Sequence, residues 1–195
     1  MSTPYTTALA AIDAAHAEDP TTTDINGTPT PYELHYAQKC TSYLEKRSPS
    51  ASEALRLAIR AQHFRRWEVP RSSYPMTRIG YHAWRTFLKK RQAELVEEIL
   101  VNVAGYDKEF AERVGSLMRK EGLKDDEETQ VLEDVACLVF LDDQFEAFGK
   151  EHDEDKTINI LRKTWGKMTE KGHELALAVP MEGKPQELLQ KALGA

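Results

Sequence analysis

The sequence predicts an all-α fold, a compact bundle of about seven helices in one domain over residues 1–195. Three observations carry this. Apolar residues recur at three- and four-residue steps through most of the chain, no stretch alternates with the two-residue period of a strand, and no internal repeat is present. Proline, glycine and capping residues cut the periodic stretches where helix ends are expected. Residues 32–148 read as the core, and 149–195 as a C-terminal helical extension.

Taken in order, residues 7–17 are alanine-rich and read as a short helix, stopped at Asp19-Pro20 because proline disfavours helix at the preceding residue. Residues 21–31 read as a loop, since Asn26-Gly27 and two prolines are turn chemistry. Tyr36, Cys40, Tyr43 and Leu44 predict a second helix over 32–46, closed at Ser48-Pro49. Ser50 followed by Glu53 has capping-box spacing and opens a third helix with the stripe Ala54, Leu55, Ala58 and Ile59, ending in the segment 66–71. Further helices are predicted over 76–103, 107–121, 125–148 and 158–178, with 184–193 as a weakly held tail. Between Val131 and Leu141 the only charges are Glu133 and Asp134, so that helix is expected at the centre, nearly surrounded by protein.

Composition excludes several classes. A 195-residue chain with 41% hydrophobic residues can bury a core, which rules out a disordered tail. The net charge of −6 disfavours a general nucleic-acid coat or a polybasic membrane anchor, so any anion site must be local. Cys40 and Cys137 have neither metal nor disulfide spacing, which suits a reducing compartment. No apolar run reaches transmembrane length and the N-terminus lacks secretory features, so the expected location is the cytoplasm or nucleus with no membrane partner.

The first feature with chemical content is a concentration of cations. Residues 60–91 hold nine of them, Arg60, Arg65, Arg66, Arg71, Arg78, Arg85, Lys89, Lys90 and Arg91, against the single acid Glu68. Guanidinium groups grip phosphate or carboxylate through paired N–H donors, so Arg65, Arg66, Arg71 and Arg85 are candidate substrate-binding residues. The alternative is that they pair with acids of other helices. The second feature is polar residues on apolar rows. Leu55, Ile59, His63 and Trp67 fall at four-residue steps, and Asp134 lies on the row of Leu138, Leu141, Phe145 and Phe148. A lone carboxylate there is costly unless a cation, a metal or several donors compensate. Imidazole and carboxylate together are suitable ligands for a catalytic divalent metal, with His35 as a third candidate. The acidic run Asp142, Asp143, Glu146, Glu151, Asp153, Glu154 and Asp155 reads as a solvated surface.

His35, His63 after 27 intervening residues, and Asp134 on a later helix resemble in order and spacing the HD-domain metal-dependent phosphohydrolases. The helix Gln92-Ala-Glu-Leu-Val-Glu-Glu-Ile-Leu, the Gly105-Tyr-Asp turn and Thr129-Gln-Val-Leu-Glu-Asp-Val-Ala-Cys-Leu resemble that superfamily's later helices, over residues 32–148. The resemblance implies an HD-domain-like bundle with His35, His63 and Asp134 holding a divalent metal ion, Mn, Fe, Co or Mg. Phe64 stands where the family's doublet carries aspartate, which leaves the position to Glu133, Glu68 or water, or leaves the site without metal. At closer range Ala61-Gln-His-Phe-Arg-Arg-Trp-Glu-Val-Pro-Arg71, Gly80-Tyr-His-Ala-Trp-Arg85, Leu132-Glu-Asp-Val-Ala-Cys-Leu-Val-Phe-Leu141 and Ile160-Leu-Arg-Lys-Thr-Trp-Gly-Lys-Met168 resemble an uncharacterised family of fungi and bacteria. Some of its members carry a glutamyl-tRNA-synthetase label. This chain has no His-Ile-Gly-His sequence and no alternating strand and helix pattern, so that activity is rejected.

The leading expectation is therefore a metal-dependent phosphohydrolase acting on a nucleotide or other phosphorylated small molecule. In it Glu133 is a base or substitute ligand, Glu68 orients the arginines, and His82 is a further ligand or phosphate donor. The alternative is a non-catalytic helical module that binds an anionic small molecule or an acidic partner. A third reading makes His63 and Asp134 a buried structural pair.

Overall fold

The computed structural model describes residues 3–194. They form ten α-helices and one small hairpin, so the all-α class holds while the helices are more numerous and shorter than the periodicity implies. The first is α1 (Pro4–His16), entered through a reciprocal cap between Thr3 and Thr6 with proline in the first turn, where a missing N–H costs nothing.

Residues 21–31 are not a loop. They pair as antiparallel β1 (Thr22–Ile25) and β2 (Thr28–Pro31), with Thr22 opposite Pro31 and Ile25 opposite Thr28. Asn26 and Gly27 both take positive φ, 53° and 81°, the pair of values a two-residue hairpin turn needs. Strands of four residues are too short for alternation to register in the sequence.

The hairpin leads into α2 (Tyr32–Arg47) and then α3 (Glu53–Arg60). The cap of α3 is Ser52, whose hydroxyl accepts from Leu55 N at 3.1 Å, rather than the expected Ser50. Helix α3 also stops short of the 66–71 segment, because His63 and Arg65 adopt left-handed backbone at φ 63° and 49°. Then follow α4 (Arg78–Asn102), α5 (Lys108–Arg119) and α6 (Glu127–Val139). Leu44, Leu57, Ile59, Val96, Leu100, Leu117, Leu132 and Leu138 are fully buried between them. Helix α6 lies at the centre as its composition implies, with nine of its thirteen residues buried.

The helix expected over 125–148 is interrupted. Phe140–Gln144 is a π-helical turn, after which α7 (Phe145–Glu151) continues. The stretch 158–178 likewise divides into α8 (Glu154–Trp165) and α9 (Glu170–Leu177), because Thr169 caps a new helix by accepting from Gly172 N at 3.1 Å. Helix α10 (Lys184–Leu193) packs against α7 and α8 through Leu188 and Ala192, so the tail is docked. No helix among the described residues is long and apolar enough to cross a membrane.

Candidate anion-binding cleft

The site begins where α3 unwinds. Left-handed backbone at a non-glycine residue costs about 1–2 kcal/mol, so two such residues in three positions need compensation nearby. Glu33, in the first turn of α2 and 4% exposed, supplies it. Its Oε1 accepts from the backbone N–H groups of Arg66 at 2.7 Å and Trp67 at 3.2 Å, and its Oε2 lies 3.3 Å from His16 Nδ1. Burial pushes the Glu33 carboxyl above its ordinary range, against the opposing pull of His16. The turn is completed by His63, stacked on the buried Tyr36 with ring centroids 4.1 Å apart.

This turn forms one wall of a cleft of about 430 Å³, and Tyr32, Trp84 and Gln144 form much of the rest. The acids that line it are already committed. Asp19 accepts from Thr21 N at 2.8 Å and Glu33 N at 3.0 Å, and Glu33 is held as described. The guanidinium of Arg66 is not. It lies 4.8 Å over the Trp84 ring and meets His63 Nε2 at 2.8 Å, and among the described residues no carboxylate forms an ion pair with it. A guanidinium can only donate, so Nε2 accepts and the imidazole is neutral. Burial first, then Arg66, Arg85, Lys120 and His16, hold the His63 imidazole well below the ordinary histidine range. Burial and the neighbouring Arg85 lower Arg66 as well.

The remaining cations of the 60–91 segment divide into two groups. Arg60 is bidentate to Asp13, and Arg65 pairs with Glu18 at 2.6 Å and Glu68 at 2.7 Å. Glu68 also holds Arg91. Arg65 is thus neutralised by two carboxylates, and Glu68 stands outside the cleft lining, fixing two arginines. Arg71 lines the cleft, but its donors bind the carbonyls of Tyr74, Pro75 and Thr77 at 3.0, 2.7 and 3.2 Å. Arg85 is partly buried with no ion pair among the described residues. His82 is exposed, its ring edge-on to Tyr81 and outside the lining.

The three candidate metal ligands occupy different stations. His63 faces Tyr36 and Arg66, whereas Asp134 is fully buried on α6 with both oxygens engaged. They accept from Arg47 Nε at 2.7 Å, Thr169 N at 2.8 Å and the Thr169 hydroxyl at 2.5 Å. The carboxylate on an apolar row is therefore compensated by a guanidinium and two donors that join α2, α6 and the start of α9. Its partners are Arg47 and Thr169 rather than His63. His35 meets Asp143 instead, Nε2 to Oδ1 at 3.2 Å. Glu133 is 5% exposed and held by Lys120 and Lys167. Among the described residues no three His, Cys, Asp or Glu side chains stand close enough to hold a metal ion, so the donor set implied by the resemblance does not fit one here.

Asp143 is the residue the sequence reading places wrongly. Its side chain is 11% exposed rather than solvated, and it also accepts from the Tyr32 hydroxyl at 2.8 Å and lies 3.4 Å from Lys39. The π-helical turn carries it toward α2, and Gln144 from the same turn donates to the Tyr32 hydroxyl at 2.8 Å. A second cleft, about 400 Å³ between α7, α8 and α10, has rim lysines already paired, Lys150 with Glu146 and Lys184 with Glu154, and offers no comparable free charge.

Fold and site together define a helical domain with a cleft lined by Arg66 and Arg71, neither of which is paired with a carboxylate among the described residues. Residues 6–189 match the model of the domain of unknown function DUF4202, and the chain belongs to that family. No curated protein and no solved structure matches it.

Proposed function

We propose that this protein binds an anionic small molecule, phosphorylated or carboxylated, in the cleft beside His63. One observation carries the reading: Arg66 is half-buried, braced by a neutral imidazole and a tryptophan face, and has no carboxylate partner among the described residues. Such a cation is expensive to hold without a counter-charge, and an anion bound there restores one through charge-assisted hydrogen bonds. Glu33 and Asp19 do not oppose the ligand at short range, since their oxygens are occupied by backbone N–H groups and, for Glu33 Oε2, by His16. Titration with inorganic phosphate and simple phosphomonoesters, read by calorimetry, tests this. Binding that disappears in Arg66→Gln supports the reading, and absence of any binding at millimolar ligand overturns it.

A hydrolytic reading, with an HD-like bundle, has its own support in the His35–Asp143 pair. An imidazole set against a carboxylate is the arrangement of a general base, and Tyr32 and Gln144, which contact this pair's neighbourhood, line the same cleft. The test is elemental analysis of protein purified without added metal, then a phosphatase panel with and without Mn²⁺, Co²⁺, Mg²⁺ and Fe²⁺. Turnover lost in His35→Gln favours hydrolysis. A panel without turnover leaves binding as the function.

A further inference from the structure

The cleft beside His63 is larger than the anion its cation calls for. Sites of about 300–1,000 Å³ enclose most of a small organic molecule, and this one measures about 430 Å³, so an inorganic phosphate at Arg66 leaves most of it to water. The rest of the wall therefore decides the rest of the ligand. Tyr32, Trp67, Val69, Pro70 and Trp84 give it a largely aromatic and aliphatic surface, and Gln144 joins them.

Most polar atoms of this wall are used within the protein. The Trp84 indole N–H donates to Val69 O at 2.9 Å, the Val69 N–H donates to Arg66 O at 3.2 Å, and Pro70 has no N–H. The backbone N–H of Trp67 is held by Glu33, while its indole N–H has no acceptor among the described residues. The Tyr32 hydroxyl has one hydrogen, and because a carboxylate only accepts, that hydrogen goes to Asp143 Oδ2 at 2.8 Å. Tyr32 must then accept from Gln144 Nε2 at 2.8 Å, which fixes the orientation of the Gln144 amide. Its Oε1 is left as an acceptor that no donor meets among the described residues. These residues thus offer a ligand a carbon surface, donors on Arg66 and Trp67, and one amide oxygen.

We propose that the ligand of this cleft is an anion carried on a planar aromatic ring, and that the ring bears an N–H or O–H donor. The phosphoryl or carboxyl group binds Arg66, the ring lies against the wall that includes Trp67, and the ring's donor meets Gln144 Oε1. The inference rests on the anion-binding reading above and specifies the body of its ligand. An open-chain or sugar phosphate fits less well, because each hydroxyl set against carbon gives up its water without a partner. A planar ring instead gains area against aromatic faces and has little conformational freedom to lose.

The test is calorimetric titration of the full chain with inorganic phosphate, glycerol phosphate, phenyl phosphate, and meta- and para-aminophenyl phosphate at about 0.15 M salt, where exposed charges are largely screened. Phenyl phosphate is expected to bind about tenfold more tightly than glycerol phosphate, and at least one aminophenyl phosphate about threefold more tightly again. Trp67→Leu is expected to bring the phenyl preference to near unity while inorganic phosphate still binds. Trp67→Phe, which keeps an aromatic face, is expected to retain most of it. Gln144→Leu is expected to abolish the gain from the amino group alone. Phosphate binding with no phenyl preference, or a preference that Trp67→Leu leaves intact, overturns the aromatic ligand but not the cleft. Aminophenyl phosphates that bind no better than phenyl phosphate, or a gain that survives Gln144→Leu, overturn the donor to Gln144. Failure of all five anions to bind overturns both this inference and the anion-binding reading.

Discussion

Arg47 Nε donates to Asp134 Oδ2 at 2.7 Å, joining the last turn of α2 to the middle of α6 across 87 positions of chain. The carboxylate is fully buried and its other contacts come from Thr169. Breaking such a pair by removing one member leaves an uncompensated buried charge, which typically costs about 3–5 kcal/mol. Arg47→Ala is expected to lose that much in urea denaturation. A loss below about 1 kcal/mol would mean that solvent reaches the carboxylate.

Gly172 on α9 is tied to the same group. A Cβ at this position lies 2.7 Å from Asp134 Oδ1 and 2.9 Å from its Cγ, and the carboxylate is pinned by its donors rather than free to swing. Helix propensity alone favours alanine over glycine by about 1 kcal/mol. The clash reverses that sign, so Gly172→Ala is expected to destabilise by about 1–3 kcal/mol in the same assay.

His63 sets a pH dependence. Its imidazole stays neutral in the native state well below the ordinary histidine range, because of burial and of Arg66, Arg85 and Lys120. Below about pH 6.5 the unfolded chain takes up a proton here that the native state refuses, so stability falls as pH drops through that value, by at most about 1.4 kcal/mol per pH unit. Denaturation curves at pH 7, 6 and 5 should show this slope in the wild type and a shallower one in His63→Gln. Phosphate bound at Arg66 is expected to move the His63 NMR titration upward by offsetting the positive field.

Glu33 maintains the turn that shapes the cleft. Glu33→Gln replaces one oxygen with an NH₂ that cannot accept, leaving His16 Nδ1 or the paired N–H groups of Arg66 and Trp67 without their acceptor. Amide hydrogen exchange at Arg66 and Trp67 should quicken by about tenfold or more, while α6 amides keep their protection. Unchanged exchange at both would place the restraint elsewhere.

Much of the helical plan was legible because each helix carries its signal locally. Leu132, Val135, Leu138 and Val139 mark α6 as central by themselves, and Asp107 and Thr77 sit before helices they do cap. The two left-handed residues that end α3 were hidden, since His63 continues the apolar row of Leu55 and Ile59 and only Glu33, from another helix, favours the turn. His35, His63 and Asp134 have separate partners for a related reason. Helical projection aligns Asp134 with residues beyond the π-helical turn, but that turn changes the register, and Asp143 rather than Asp134 meets His35.

The all-α class, the central place of α6 and the cationic segment from Arg60 to Arg91 were determined by sequence, because periodicity and charge are properties of neighbouring residues. Tertiary structure alone decided which of those cations are neutralised. Asp13 takes Arg60 from 47 positions away and Glu18 takes Arg65 from the same separation, whereas among the described residues no acid pairs with Arg66. Such pairing depends on how helices pack against one another, and the packing of distant segments leaves no trace in the spacing of any one of them.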